Sequence, residues 1–244
     1  MRRIFVTPEA ISGKQLHITG DLAHHLGKVL RLTPGTHVTV SCGDGKLHEA
    51  ELQVFERDAI EGVILSTTED VQETAVEVVL YQGMPKGDKL ELVIQKCTEL
   101  GVSRVVPVET SRAVVKLDDG KARKKQERWQ KIAQEASEQS KRSTVPEVTT
   151  LMSWKEALQD MQEGLTIVLW EEEQQKHLRE YLGGTDAKRI NLIIGPEGGL
   201  SESEVETLLA QGAVSVSLGK RILRTETAAM TAVALVLYEF GELG

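Results

Sequence analysis

Aromatic residues are scarce in this chain: nine among 244, three each of Trp, Tyr and Phe. That argues against a platform on which nucleic-acid bases stack on exposed rings. Cysteine is scarcer still. Cys42 and Cys97 have no Cys-x-x-Cys partner, which speaks against a zinc or disulfide framework, so no metal is expected. No apolar run approaches the ~20 residues of a membrane helix. The opening Met1-Arg2-Arg3-Ile4-Phe5-Val6 is followed by neither an apolar run nor a small-residue cleavage site. A secretory leader is therefore not expected, and a cytoplasmic location is. Also missing are a Gly-x-Gly-x-x-Gly fingerprint, a P-loop Lys-Ser/Thr and a Gly-x-Ser-x-Gly elbow, which disfavours dinucleotides, nucleoside triphosphates and serine-hydrolase chemistry.

Net positive charge is lacking too, at a formal −8. Averaged over the chain, this weighs against nucleic acid, because phosphate neutralisation needs concentrated Lys and Arg. Locally the balance reverses. Lys121, Arg123, Lys124, Lys125, Arg128, Lys131, Lys141 and Arg142 face only Glu127, Glu135 and Glu138 between residues 121 and 142. The run is either a solvated helix face or a basic surface on an acidic protein.

Hydrophobic residues make up 40% of the chain and charged ones 27%, as in ordinary globular proteins. Residues 1–72 read as β-rich. His37 to Val54 alternates apolar and polar residues around Asp44-Gly45, a hairpin signal. One short helix interrupts, with Asp21 placed to cap Leu22 to Leu30 and Pro34-Gly35 to end it. A small barrel is expected. Ser66 to Thr74 reads as a linker to a second domain, 73–244, in which strands and helices alternate.

In that domain Ala75–Tyr81, Val102–Val108, Thr166–Trp170, Ile190–Gly195 and Val214–Leu218 are expected strands. Asp88 and Glu91 suggest a capping box before an apolar stripe, Leu90, Val93, Ile94, Cys97 and Leu100, that stops at Gly101. Ser201 and Glu204 suggest another, with Gly212 ending its helix. Thr225 opens a last helix to Phe240. This alternation implies an α/β domain with a mostly parallel sheet covered on both faces.

Two strand ends hold the chemistry. One runs into Gly195-Pro196-Glu197-Gly198-Gly199, the other into Leu218-Gly219 and Ile222-Leu223-Arg224-Thr225-Glu226. Loops at the carboxyl ends of parallel strands are where ligands bind. Their closeness suggests one composite pocket, although a glycine-rich turn can be only a turn. His24 and His25, adjacent on a helix, point in different directions and cannot readily share one ion. A polar surface or an RNA contact, beside Lys28 and Arg31, suits them better.

These residues match a known pattern nearly end to end. It includes Arg2-Arg3-Ile4-Phe5, His24-His25-Leu26 with Val29-Leu30-Arg31, and Lys86-Gly87-Asp88-Lys89-Leu90-Glu91. It continues through Gln95 to Gly101, Arg128-Trp129, Glu135 to Arg142, Val145-Pro146-Glu147, and the two loops. The chain resembles the bacterial small-subunit (16S) ribosomal RNA uridine-N3 methyltransferases of the SPOUT class. That resemblance, not periodicity, implies a trefoil-knotted C-terminal α/β domain, a PUA-like N-terminal β-barrel that binds RNA, and a homodimer. It implies S-adenosylmethionine held by Leu169, Trp170 and Glu171, by Ile194, Gly195, Pro196, Glu197, Gly198 and Gly199, and by Leu218, Gly219, Ile222, Leu223, Arg224, Thr225 and Ala228.

The acceptor implied is 16S rRNA, on an assembled small ribosomal subunit. Arg2, Arg3, His24, His25, Lys28, Arg31, Lys86, Lys89 and Arg142 are the expected RNA contacts. Arg224 would stabilise the uridine anion, and Glu226 would act as base or orient Arg224 through an ion pair. Alternatives are a knotted enzyme for another RNA, a non-catalytic RNA-binding assembly factor, and a small-molecule enzyme of the doubly wound type.

Overall fold

The computed structural model describes residues 2–69, 74, 76–113 and 119–243, with the side chains of residues 119 and 121 left aside. The chain forms two compact units. One comprises the described residues up to 69 together with Ser137–Val145; the other comprises the rest.

In the first unit the strands are β1 (Arg2–Phe5), β2 (Ile11–Ser12), β3 (Gln15–Thr19), β4 (Thr36–Ser41), β5 (Lys46–Phe55) and β6 (Ala59–Glu69). They form one sheet in the order β1-β4-β5-β6-β3-β2, antiparallel except where β1 meets β4. Alternation decides the facing. Val38 and Val40 on β4, and Ala50 and Leu52 on β5, join Ile4, Leu16, Ile18, Ile60 and Ile64 in a single apolar cluster. Both outer regions of the sheet feed that cluster, as in a sheet curled around its own core.

Helix α1 (Gly20–His24) continues into a π-helical turn, His25–Val29, and buries Ala23 and Leu26 in the same cluster. Asp21 sits in the first turn rather than at the cap, which is Thr19. The expected linker is shorter than Ser66–Thr74. Ser66, Thr67 and Thr68 pair with Glu49, His48 and Leu47, because β5 offers them a ladder to complete. The remainder, 70–73, lies outside the described residues.

Ser137–Val145 belongs here and not with the C-terminal unit, contrary to a simple division at residue 73. Arg3 donates to the Lys141 carbonyl, and Ser41 Oγ donates to that of Ser143. Both bonds tie the turn to strands of the sheet far away in sequence.

The second unit carries β7 (Glu77–Gly83), β8 (Arg104–Glu109), β9 (Glu147–Val148), β10 (Met152–Ser153), β11 (Leu165–Leu169), β12 (Arg189–Ile194) and β13 (Val214–Val216). The sheet order is β10-β8-β7-β12-β11-β13, with β9 also on β8, and every pairing is parallel. Its helices are α2 (Lys89–Leu100), α3 (Asp119–Ser140, whose end from Ser137 belongs to the first unit), α4 (Trp154–Asp160), α5 (Leu178–Leu182), α6 (Glu202–Ala210) and α7 (Thr225–Glu239).

Central β7 is buried from Val78 through Gly83, which requires cover on both faces. Val79 and Tyr81 face a cluster that includes Ala157 of α4 and Val205 and Leu208 of α6. On the opposite face α7 packs on α2, β7 and β12. Small Ala229 and Ala232 are fully buried there, which permits a close approach. From edge strand β13 the chain thus returns to the middle of the sheet, the path on which the resemblance places its knot.

Helix signals were uneven guides. Ser201 and Glu204 form the expected capping box, and Gly101 ends α2 in the left-handed region at φ 118°. Asp88 and Glu91 do not form theirs. Asp88 has φ −96° and ψ 12°, not the extended geometry a cap needs, and the Glu91 carboxylate instead pairs with Arg128 at 2.7 Å. Ser153 and Glu156 make an unexpected box at α4.

Candidate active site

The loop after β12 depends on missing side chains. A Cβ on Gly195 would lie 2.6 Å from the Gly199 carbonyl carbon, and one on Gly83 would lie 2.6 Å from Pro196 Cδ. Gly199 has φ 69°, and any side chain there would run into the Glu171 carboxylate. The result is a tight backbone cradle at the carboxyl ends of β7, β11 and β12.

The second loop is joined to the first by a buried clasp. Thr225 Oγ1 donates to the Gly195 carbonyl at 2.6 Å, and Gln82 Nε2 donates to Thr225 Oγ1 at 2.9 Å. Gln82 also donates to the Gly83 carbonyl at 3.0 Å. The two loops expected to share a site are therefore bonded to each other. The third strand end joins through the Trp170 amide, which donates to the Val216 carbonyl at 3.2 Å. Leu169 is buried beneath, while Leu218 and Leu223 are half-buried and Ile222 is 87% exposed.

Charge gathers at the rim. Lys89 Nζ donates to Glu197 at 2.6 Å and stands 4.0 Å from Glu226, and the Lys86 amide also donates to Glu197. Burial by itself would raise the Glu197 carboxyl. The Lys89 hydrogen bond, with backbone amides, holds it below the usual carboxylate range. The Glu226 side chain is only 13% exposed, and its Oε2 is buried with no hydrogen-bond partner in the protein. Trp170 Nε1 is a second such atom. Buried polar atoms left open at a cradle fit a site that a ligand completes.

Arg224 is exposed at the N-cap position of α7. Among the described residues no ion pair joins it to Glu226; the nearby cation is Lys89. Thr225 is buried and Ala228 half-buried on the first turns of α7.

The expected RNA contacts divide. Arg2, His24, His25, Lys28 and Arg31 are exposed on the N-terminal unit. Arg3 is half-buried and bonded to the Lys141 carbonyl. Lys86 is exposed, but Lys89 is committed to the acidic rim of the loop rather than to an open phosphate-binding face. Arg142 requires correction. It lies beyond the end of α3, 7% exposed, with Nη2 donating to Thr144 Oγ1, so it is a buried turn residue rather than an open phosphate contact. On α3 itself Arg123, Lys124, Arg128 and Lys131 are exposed opposite the buried stripe Trp129, Ala133 and Ala136. The basic run is thus the solvent side of an amphipathic helix.

Sequence reading missed two further supports. Arg112 Nη1 donates to the Gly198 carbonyl at 2.9 Å. Buried Glu204 accepts from the amide and hydroxyl of Ser111, at 2.7 and 3.0 Å, and from those of Ser201, at 2.8 and 2.9 Å. The capping box foretold the Ser201 half; nothing local foretold Ser111.

Comparison with known proteins agrees with this geometry. A family model for an RNA methyltransferase domain matches residues 72–237, and one for an RNA methyltransferase PUA domain matches residues 18–65. Ribosomal RNA small subunit methyltransferase E of Bacillus subtilis (strain 168) is 41% identical over 228 residues, spanning 91% of this chain and 89% of that one. A crystal structure of a ribosomal RNA small subunit methyltransferase E from Neisseria gonorrhoeae, bound to S-adenosyl methionine, is 34% identical. It matches with a TM-score of 0.84 over 98% of this chain and 97% of its own. A putative methyltransferase from Legionella pneumophila with bound cofactor SAM matches at 33% identity and a TM-score of 0.86, over 97% and 96% of the two chains. With its glycine cradle, its clasped second loop and these end-to-end matches, the chain belongs to the RNA methyltransferase family.

Proposed function

We propose that this protein transfers a methyl group from S-adenosylmethionine to N3 of a specific uridine in 16S rRNA, on the assembled small ribosomal subunit, and works as a homodimer. The observation that carries the reading is the pair of clasped loops, with Glu226 Oε2 at their rim buried, 4.0 Å from Lys89 and accepting no hydrogen bond in the protein. The protein's residues fit the cofactor. Gly195 and Gly199 let the loop close tightly on itself and on Glu171; Glu197 and Glu226 gather negative charge beside it that suits a cationic sulfonium, and Glu226 Oε2 accepts no hydrogen bond in the protein. When bound, S-adenosylmethionine supplies an electrophilic methyl group.

The protein's task is then positioning and proton removal. Uridine N3 is a poor nucleophile while it keeps its imide proton. Glu226 takes that proton on the oxygen that accepts no hydrogen bond in the protein. Arg224, exposed at the start of α7, stabilises the charge that spreads to the flanking carbonyl oxygens. Lys89 keeps Glu197 ionised and so holds the loop in shape.

The N-terminal unit, residues 1–72 with the turn at 137–145, binds RNA through exposed Arg2, His24, His25, Lys28 and Arg31. Such contacts position the phosphates without reading sequence. Leu92 on α2 and Leu235 and Tyr238 on α7 are exposed apolar side chains suited to a second copy. Among the described residues no helix is long and apolar enough to cross a membrane.

The test combines the purified protein, labelled S-adenosylmethionine and small subunits lacking the modification, followed by nucleoside mass spectrometry. N3-methyluridine is the expected product; Glu226→Gln should lose turnover, and Arg224→Ala should lose turnover while keeping cofactor affinity. A different methylated nucleoside overturns the target atom. No transfer despite cofactor binding overturns the acceptor.

A further inference from the structure

We infer that Cys42, Asp44 and His48, on the β4–β5 hairpin of the N-terminal unit, form a binding site for a zinc-class divalent cation. The site is separate from methyl transfer and does not rest on the function proposed above. Each residue offers one ligand atom, and the three atoms lie within 4.8 Å of one another. His48 Nε2 and Asp44 Oδ2 are 3.2 Å apart. Tetrahedral zinc, with bonds of about 2.0–2.3 Å, holds its ligand atoms roughly 3.3–3.8 Å apart. The widest separation therefore needs to close by up to about 1–1.5 Å on an ion.

The hairpin makes this grouping. Gly43 and Gly45 both have positive φ, 78° and 74°, and turn the chain tightly enough to bring residues 42 and 44 back beside His48 on β5. Groups outside the triad orient two of its members. Thr67 Oγ1, on β6, lies 3.0 Å from His48 Nδ1. When Nδ1–H donates to Thr67, the Nε2 lone pair faces Asp44 and Cys42, the arrangement that metal-bound histidines show. The Lys46 amide donates to Asp44 Oδ1 at 3.1 Å, while Oδ2 lies against His48 Nε2 at 3.2 Å, a contact that gives way to the ion on binding. His48 is 8% exposed and fixed in the sheet, so binding costs little further ordering of it.

The donor set selects the metal. One sulfur, one imidazole and one carboxylate suit zinc or cobalt far better than magnesium or calcium, which take oxygen ligands. Three protein ligands, with Asp44 exposed and Cys42 half-buried, leave a fourth position to water. Binding replaces the Cys42 S–H bond with a metal–thiolate bond and releases the thiol proton to solvent, with no electron transferred. A rule that seeks paired cysteines passes over this site, because it has one cysteine and spans a turn.

The test is cobalt titration of the chelator-treated full-length protein, followed by its thiolate-to-metal absorption band. Cys97 is fully buried, so such a band reports Cys42. One equivalent should saturate it, zinc should displace it, and Cys42→Ser should abolish it. Thr67→Val should weaken cobalt binding about 10–100-fold, the usual effect of losing an outer-shell partner. His48→Gln tests the imidazole, and melting of each metal-free variant separates lost binding from lost folding. Because Cys42 is half-buried, its serine variant keeps the question open to refutation even where His48→Gln does not fold. The absence of a thiolate band, or equal cobalt affinity in wild type and Cys42→Ser, overturns the site and reassigns any binding to surface histidines.

Discussion

Thr225→Val puts the clasp between the two loops to a direct test. Valine nearly matches threonine in shape, so the change removes a hydroxyl and opens no cavity. The Gly195 carbonyl loses its 2.6 Å donor and is left with Gln82 Nε2 at 3.4 Å. Gln82 loses its 2.9 Å acceptor but keeps the Gly83 carbonyl at 3.0 Å. One buried carbonyl short of its main donor costs about 1–3 kcal/mol. Thr225→Ser keeps the hydroxyl and gives up one buried methyl, about 0.8 kcal/mol. The serine variant should therefore be the milder of the two, whereas an account based on packing alone predicts the reverse. Urea denaturation measures the stability, and calorimetric titration with S-adenosylmethionine measures the coupling, at tenfold in affinity for each ~1.4 kcal/mol that reaches the loop. A valine variant within about 0.5 kcal/mol of wild type, the usual range for inconsequential surface changes, or a serine variant worse than valine, would refute the clasp.

Glu204→Ala should cost about 1–2 kcal/mol by losing the returning half of the α6 capping box and the acceptor of Ser111. It should also weaken cofactor binding, because Ser111 and Ser201 lose their shared acceptor; Glu204→Gln should recover much of both, as read by denaturation and titration. Acidification tests the Glu197–Lys89 pair. The Glu197 pKa is depressed in the fold, so its contribution is present above the ordinary glutamate value of about 4.3 and is lost as pH falls through the folded value. Cofactor affinity measured across that range should drop, and Lys89→Met should move the drop to higher pH. An unchanged midpoint in the variant would remove Lys89 from the account.

Much of this protein is written locally. The stripe Leu90, Val93, Ile94 and Cys97, the stop at Gly101, the Ser201–Glu204 box and the hairpin around Asp44-Gly45 each depend on residues within a turn or two of one another. Their physics is complete within a short window of sequence, and the structure forms all of them. The two glycine loops were legible for the same reason, since strand, turn and helix follow in order.

Tertiary structure decided what depends on a distant partner. Asp88 and Glu91 have the spacing of a capping box, but the chain path denies Asp88 the extended geometry, and Arg128, 37 positions further on, takes Glu91. Lys89 reads as a basic residue free for phosphate until Glu197 is brought within 2.6 Å. Arg142 reads as the end of a basic face until the turn at 137–145 buries it in the other unit. Ser111 with Glu204, Thr225 with Gly195, and Thr67 with His48 are likewise bonds between segments that sequence order keeps apart. Residue type and spacing determine which groups can bond and the local form of the chain. Which group each one meets is settled only when burial withdraws water and obliges every polar atom to find a partner across the fold.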